Sequence, residues 1–258
     1  MRSLLSSPEL ILRGGLKELS LSFTGKQVTA FMTYLSELKK WNKAYSLTSL
    51  RTDEDIVVKH FLDSLLYLKA MPEGECSVAD VGSGAGFPGI PMKIIRPGIM
   101  LYLVEPSKKK ANFLLHMIRT LGLERVELLE KRIEEIRSLT VEVAVTRALF
   151  DLKDFSDKAF PLLREEGRLI VSKGPKVGEE LRAIEEMDYE VMTFTLPLSG
   201  IKRFIVVIRK GDLSTGRANP KSIRPARDVI AACINADCRL RKAGCKGFEG
   251  CPGFKSGT

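Results

Sequence analysis

Between residues 77 and 172 short apolar runs alternate with helical stretches, and this rhythm restricts the chain more than any other feature. The runs are SVADV (77–81), MLYLV (100–104), RVELL (125–129), EVAVT (142–146) and RLIVS (168–172), with helices expected at 89–96, 107–121, 151–164 and 176–187. Strands separated by helices build a parallel sheet covered on both faces, because each crossover returns the chain to the same end of the sheet. Two further runs, YEVMTFTL (189–196) and IKRFIVVIRK (201–210), are joined only by Pro197-Leu198-Ser199-Gly200. So short a joint permits antiparallel pairing alone, since a parallel pair needs a crossover of about a dozen residues or more. The expected fold class is therefore α/β, a mostly parallel sheet ending in an antiparallel hairpin.

Ahead of the sheet, KQVTAFMTYLSELKKWN (26–42) places Val28, Phe31, Met32, Leu35 and Leu38 on one helical face. TDEDIVVKHFLDSLLYL (52–68) reads as a second helix with Thr52 as N-cap and acids in its first turn. The expected organisation is a helical cap over 1–70, the sheet domain over 71–210 and a basic, Cys-rich tail over 211–258. A length of 258 residues with 44% hydrophobic content suits one such α/β domain with additions at its ends. No apolar run reaches the roughly 18 residues of a membrane span, and the N-terminus MRSLLSSPELILRGG makes a poor signal peptide. A cytoplasmic monomer without membrane contact is expected.

The net charge of +9 is unevenly spread, with nine Lys/Arg against four Asp/Glu in residues 211–258. Such a balance favours a polyanionic partner through counterion release, and equally serves solubility. Cys233, Cys238, Cys245 and Cys251 crowd the tail with the spacing C-x4-C-x6-C-x5-C, which matches no standard zinc template. A reducing compartment argues against disulfides, leaving zinc, an iron–sulfur cluster and four free thiols all open.

The chemistry sits in DVGSGAGFPGIP (80–91), a loop between the first strand and the first helix. From Gly84 it fits the dinucleotide pattern G-x-G-x-x-G; from Gly82 it is G-x-G-x-G with an acid, Asp80, two residues upstream. Both readings use glycines for positive φ and close backbone approach, and both place an acid, Glu105, at the end of the next strand to hold ribose hydroxyls. Asp80 separates them, because a carboxylate at that point repels a pyrophosphate and favours the ammonium and sulfonium of S-adenosylmethionine. None of the tyrosines has a Lys four residues on, and no nucleophile elbow G-x-S-x-G is present. NAD-binding Rossmann domains do not usually end in a hairpin, whereas class I methyltransferases do. The cofactor expected is S-adenosylmethionine.

At the end of the fourth strand Val145-Thr146-Arg147-Ala148 contains neither an Asn/Asp-Pro-Pro-aromatic box nor a Cys nucleophile. An acceptor that needs no base or nucleophile fits this best, and guanine N7 is one. WNKAYSLT (41–48), HFLDSL (60–65), DVGSGAGFPGIP (80–91), KKKANFL (108–114), KRIEEI (131–136), TRA (146–148) and SKG (172–174) occur in that order. The chain resembles, over about 25–210, the bacterial 16S ribosomal RNA guanine-N7 methyltransferases, the glucose-inhibited division protein B family. The resemblance implies a Rossmann-like class I methyltransferase domain that methylates N7 of a single guanine in 16S ribosomal RNA of the small subunit or its precursor. It implies that Gly82, Gly84 and Phe87 line the cofactor with Asp80, that Glu105 holds its ribose, and that Ile133 and Glu134 edge its adenine. Arg147 is implied to border the cofactor and face the substrate, with Arg132 and Lys173 as basic positions of the RNA-facing pocket. The family usually carries Asn where this chain has Ser46, and the Cys-rich tail lies outside its pattern. His60 reads as a structural histidine, and Lys108 to Lys110 as a solvated helix start. The rival expectation is a non-catalytic RNA-binding or assembly factor on the same fold.

Overall fold

The computed structural model describes residues 7–147 and 149–211. Helix α1 (Pro8–Glu18) starts from Ser7, whose hydroxyl accepts from the Leu10 amide at 3.2 Å, with Pro8 at its first position. It passes through Gly14 and Gly15, and the Leu62 side chain packs against Gly15, where a Cβ would lie 2.1 Å from its Cδ1 unless that side chain shifted. Helix α2 (Gly25–Tyr45) opens with a Thr24/Gln27 capping box and buries Val28, Phe31, Tyr34, Leu35 and Leu38. Met32, expected on the same face, is only half-buried, and Tyr34 takes a core place instead. At its end Ser46 adopts a left-handed conformation, φ 50° and ψ 50°.

The segment expected as a second helix begins as foreseen, with Thr52 Oγ1 accepting from the Asp55 amide at 3.1 Å. It does not stay regular. Helix α3 (Asp53–Ile56) passes into a π-helical turn (Val57–Leu62), then α4 (Asp63–Leu65) and a 3-10 turn (Leu66–Lys69). The wider π turn sends the Asp63 amide to the carbonyls of Val58 and His60 and not to that of Lys59. Such turns are frequent at functional sites.

Seven strands form one sheet: β1 (Ser77–Val81), β2 (Met100–Val104), β3 (Val126–Leu129), β4 (Val141–Arg147), β5 (Leu163–Lys173), β6 (Tyr189–Thr195) and β7 (Lys202–Arg209), in the order β3-β2-β1-β4-β5-β7-β6. The first five are parallel; β7 lies antiparallel between β5 and β6, with Val206 facing both Val171 and Val191. The crossovers carry α5 (Gly89–Ile95), α6 (Lys108–Thr120) and α7 (Leu152–Ala159), and α8 (Val177–Arg182) follows β5. The hairpin and the parallel rhythm are as the sequence implies. Two boundaries differ most: helix was expected to 164, yet β5 already begins at Leu163, pairing with Val141 across a bulge, and the helix expected over 176–187 is confined to Val177–Arg182. Gly167 lies in that bulge, where a Cβ would sit 2.8 Å from the Arg164 carbonyl oxygen.

Two apolar clusters sandwich the sheet. On one face Phe31, Phe61, Leu62 and Leu65 of the N-terminal helices join Val78, Leu101, Leu103, Val143 and Val145. On the other, Phe155 and Leu152 of α7 join Ala79, Val81, Ala144, Leu169 and Val171. Tyr67 fastens the first layer to the sheet's carboxyl ends: its buried hydroxyl donates to the Thr146 carbonyl at 2.6 Å and accepts from the Ser172 amide at 3.1 Å. Because the chain runs outward from β1 to β3 and then returns to β4, the order reverses between β1 and β4. In open α/β sheets the ligand crevice lies outside the carboxyl ends at such a reversal.

Candidate active site

The glycine loop leaves β1 at that reversal. Gly82, Gly84 and Gly86 have φ of 72°, 59° and 93°, values that side chains disfavour. The amides of Gly82 and Ser83 donate to the Val104 carbonyl at 2.8 and 3.1 Å, drawing the loop across the end of β2. There Glu105, almost fully buried, accepts from the Gly84 amide at 2.8 Å with one oxygen and from the Ser107 amide at 2.9 Å with the other. Each carboxylate oxygen retains a lone pair for a ligand hydroxyl. Among the described residues a Cβ at Gly84 would meet nothing nearer than the Gly82 carbonyl oxygen at 3.8 Å, which leaves space beside it. Gly82 is covered by the side chain of Leu149, from the stretch after β4. An acid with spare acceptors beside the open, left-handed Gly84 fits the ribose end of S-adenosylmethionine.

Asp80 occupies a different place from the one its spacing implied. It lies sealed beneath the loop with no exposed surface, and its Oδ2 accepts from the Gly89 amide at 2.9 Å, at the start of α5. A ligand seated on the loop therefore does not touch this carboxylate as it stands; Asp80 pins the loop to the helix. Its Oδ1 is buried without a hydrogen-bond partner among the described residues. Burial pushes the carboxyl up to about 7, against the opposing pull of the Gly89 amide and the Arg147 charge.

Arg147, at the end of β4, is mostly buried and makes a dense set of contacts. Its Nη2 donates to His60 Nδ1 at 2.7 Å and its Nη1 to the Lys59 carbonyl at 3.3 Å, while Asp63 Oδ2 lies 3.7 Å from Nη1. Its guanidinium carbon stands 5.0 Å from the centre of the Phe87 ring. Phe87 in turn stacks on His60, with centroids 4.5 Å apart, and on Tyr34 at 5.4 Å. The Tyr34 hydroxyl donates to the Ala85 carbonyl, tying α2 to the loop. Burial raises the Asp63 carboxyl above its ordinary value, although Arg147 and Arg203 both lower it, the latter through a 2.8 Å hydrogen bond from Nε.

The other expected residues are distributed less tightly. Ile133 is buried and Glu134 exposed in a short 3-10 turn (Ile133–Glu135) after β3, with Arg132 exposed just before it. Glu134 Oε1 lies 3.4 Å from Lys158 Nζ. Lys173 does not project freely: its Nζ donates to the Phe150 carbonyl at 2.6 Å and pairs with Glu180 at 2.7 Å, so it braces the stretch after β4. Cys233, Cys238, Cys245 and Cys251 lie outside the described residues. Among the described residues no group of acids, His or Cys could hold a metal ion, and no helix is long and apolar enough to cross a membrane. The participant the spacing missed is His60. It sits one turn from Asp63 and Ser64, a spacing that gave no signal of a partner 87 residues away.

A family model described as GidB, rRNA small subunit methyltransferase G, matches residues 27–196, which include the loop, Glu105, His60 and Arg147. The chain belongs to the rRNA small subunit methyltransferase G family. Relatives named ribosomal RNA small subunit methyltransferase G agree. The one from Pelotomaculum thermopropionicum is 39% identical over 212 residues, 77% of this chain and 89% of that one. The one from Desulfotalea psychrophila is 40% identical over 189 residues, 69% of this chain and 87% of that one. Among solved structures, a methyltransferase from Pyrococcus furiosus aligns with a TM-score of 0.53 at 15% identity, covering 70% of this chain and 98% of that one. That likeness shows the shared Rossmann-like fold. The chain is thus a methyltransferase of the rRNA small subunit methyltransferase G family and uses S-adenosylmethionine.

Proposed function

We propose that the protein methylates N7 of a single guanine in the 16S ribosomal RNA of the small subunit. Membership of the rRNA small subunit methyltransferase G family across residues 27–196 carries this reading. Bound in the crevice, S-adenosylmethionine supplies a methyl group on a sulfonium that departs as a neutral thioether. Glu105 would hold the ribose, the Gly84 backbone would approach the cofactor closely, Gly82 would do so once Leu149 moves aside, and Ile133 with Glu134 would border the adenine.

The chain's own residues suit an acceptor that keeps its protons. N7 offers an in-plane lone pair and would accept the methyl group without giving up a proton, so no base would be needed. None of the groups described in the site is a ready base. Asp80 is sealed under the loop, and His60 has both ring nitrogens in hydrogen bonds, to Arg147 and to Thr48. The only cysteine among the described residues, Cys76, is buried just ahead of β1, at the opposite end from the crevice. Catalysis then rests on alignment, with Arg147 presenting its remaining donors to the guanine O6 edge or a neighbouring phosphate. Exposed Lys108 and Lys109 at the start of α6, with Lys131 and Arg132 after β3, follow the same carboxyl edge and make no ion pair among the described residues. They would set RNA position by charge. The target base must leave its stack to reach the crevice.

Purified protein and methyl-labelled cofactor, offered to undermethylated small subunits, should place the label in 7-methylguanosine after digestion. Label in any other nucleoside refutes the N7 assignment. Binding of subunits without transfer favours the assembly-factor reading.

A further inference from the structure

Arg147 can face RNA productively only if something fixes its guanidinium, and the contact at its Nη2 is a histidine where an acid would be the ordinary choice. We propose that His60 is a positioning residue, whose Nδ1 lone pair holds the Arg147 guanidinium over Phe87 in the orientation from which it meets the RNA. This inference rests on the reading of Arg147 as substrate-facing and names the device that orients it.

Hydrogen-bond chemistry fixes the state of the ring. Arginine has donors and no acceptor, so His60 Nδ1, 2.7 Å from Arg147 Nη2, must present a lone pair. The proton therefore resides on Nε2, which donates to Thr48 Oγ1 at 2.7 Å. Thr48 is itself set in place, since its amide donates to Asn42 Oδ1 at 2.8 Å and its hydroxyl oxygen accepts from the Leu50 amide at 3.1 Å. The ring plane is held by stacking on Phe87 at 4.5 Å with a 22° tilt. Both ends and one face of the imidazole are thus specified by three separate parts of the chain: the loop after α2, β4 and the glycine loop.

The backbone contributes as well. His60 lies inside the π turn, and the Lys59 carbonyl that this register withholds from the Asp63 amide accepts from Arg147 Nη1 at 3.3 Å. Two adjacent residues of one turn therefore grip two nitrogens of one guanidinium. Burial and the Arg147 charge push the His60 pKa down to about 3, so the ring stays neutral at any working pH. Neutrality is what distinguishes this partner. A carboxylate at the same point would form a bidentate pair and cancel the guanidinium charge. The imidazole orients Arg147 without neutralising it, and the nearest acid, Asp63, is 3.7 Å from Nη1 and already bonded to Arg203.

Three substitutions separate the contacts. In His60→Asn the side-chain oxygen falls near the position of Nδ1; in His60→Gln the terminal amide reaches instead toward Nε2; His60→Phe keeps the stacking ring alone. Each full-length variant is assayed for cofactor affinity by calorimetry and for kcat/KM on undermethylated small subunits. The wild-type tautomer is read from 15N-histidine spectra. His60→Phe and His60→Gln should lose on the order of 100-fold in kcat/KM, the scale of a misplaced orienting group, with cofactor affinity within about 3-fold. His60→Asn should recover most of the loss. The spectrum should show a bare Nδ1 whose signal moves in Arg147→Ala. A merely structural histidine would lower cofactor affinity and thermal midpoint together and would show no advantage of Asn over Gln. Unchanged kcat/KM in His60→Phe, equal behaviour of Asn and Gln, or a proton on Nδ1 overturns the proposal. Should the wild-type protein transfer no methyl group to RNA, the functional reading falls, while the tautomer and its response to Arg147→Ala still decide whether His60 holds that arginine.

Discussion

Replacing Asp80 with Asn tests the electrostatics of the loop in a ligand-free protein. The buried carboxyl titrates at about 7, against about 3.9 for an unfolded aspartate. Between those values the folded protein keeps the proton and the unfolded chain has lost it. Stability from this group therefore falls as pH rises through that window and levels off above about 7. A shift of about three units at 1.36 kcal/mol each gives a swing of about 4 kcal/mol. Asparagine does not titrate, and its oxygen can still accept from the Gly89 amide. Its NH2 takes the place of the unpartnered Oδ1, at a pH-independent cost of about 1–3 kcal/mol. Urea unfolding of both proteins from pH 4 to 8, followed by circular dichroism, reads the difference directly, because titrations common to both cancel. Asp80→Asn should be the less stable protein near pH 4 and gain on the wild type by about 4 kcal/mol toward pH 8. A difference that stays flat, or that moves against the variant as pH rises, refutes the account of a buried, largely protonated acid.

Tyr67→Phe removes the donor to the Thr146 carbonyl and the acceptor for the Ser172 amide, both buried. It should cost about 1–3 kcal/mol, seen as a lower urea midpoint with an unchanged slope. Ser46→Asn should stabilise the protein by about 0.5 kcal/mol, since asparagine tolerates the left-handed conformation found there better than serine; a loss of stability would show that the hydroxyl has a role of its own. Glu105→Gln keeps the shape of a side chain that accepts from two backbone amides, yet turns an NH2 toward one of them. Calorimetry should show cofactor affinity at least about tenfold weaker, and an unaltered affinity would exclude Glu105 from the cofactor seat.

The parallel strands were legible because strands buried on both faces run continuously apolar, and the hairpin because a joint of that length leaves no other pairing. The glycine loop and Glu105 followed from their places at strand ends. Helix α1 was not legible: its Gly14-Gly15 pair reads as a breaker, and only the Leu62 side chain, far along the chain, explains why a glycine suits that point. The π turn left no mark in the periodicity of residues 52–68. Asp80 was recognised as an acid that belongs to the loop, but a side chain's direction beneath a loop depends on where α5 begins. Lys173 and His60 show the same limit from opposite sides. A lysine that looked available is bound to Glu180 and the Phe150 carbonyl, and a histidine that looked inert orients Arg147. Their partners are set by the packed fold.

The apolar cluster on one face of the sheet draws on Phe31, Phe61 and Leu65 as much as on Val78, Leu103 and Val145. The first seventy or so residues are consequently not an interchangeable module. A chimera that grafts the amino-terminal helices of another methyltransferase onto this sheet inherits a mismatched joint along its whole length, and a chain started at residue 71 would expose that face to water.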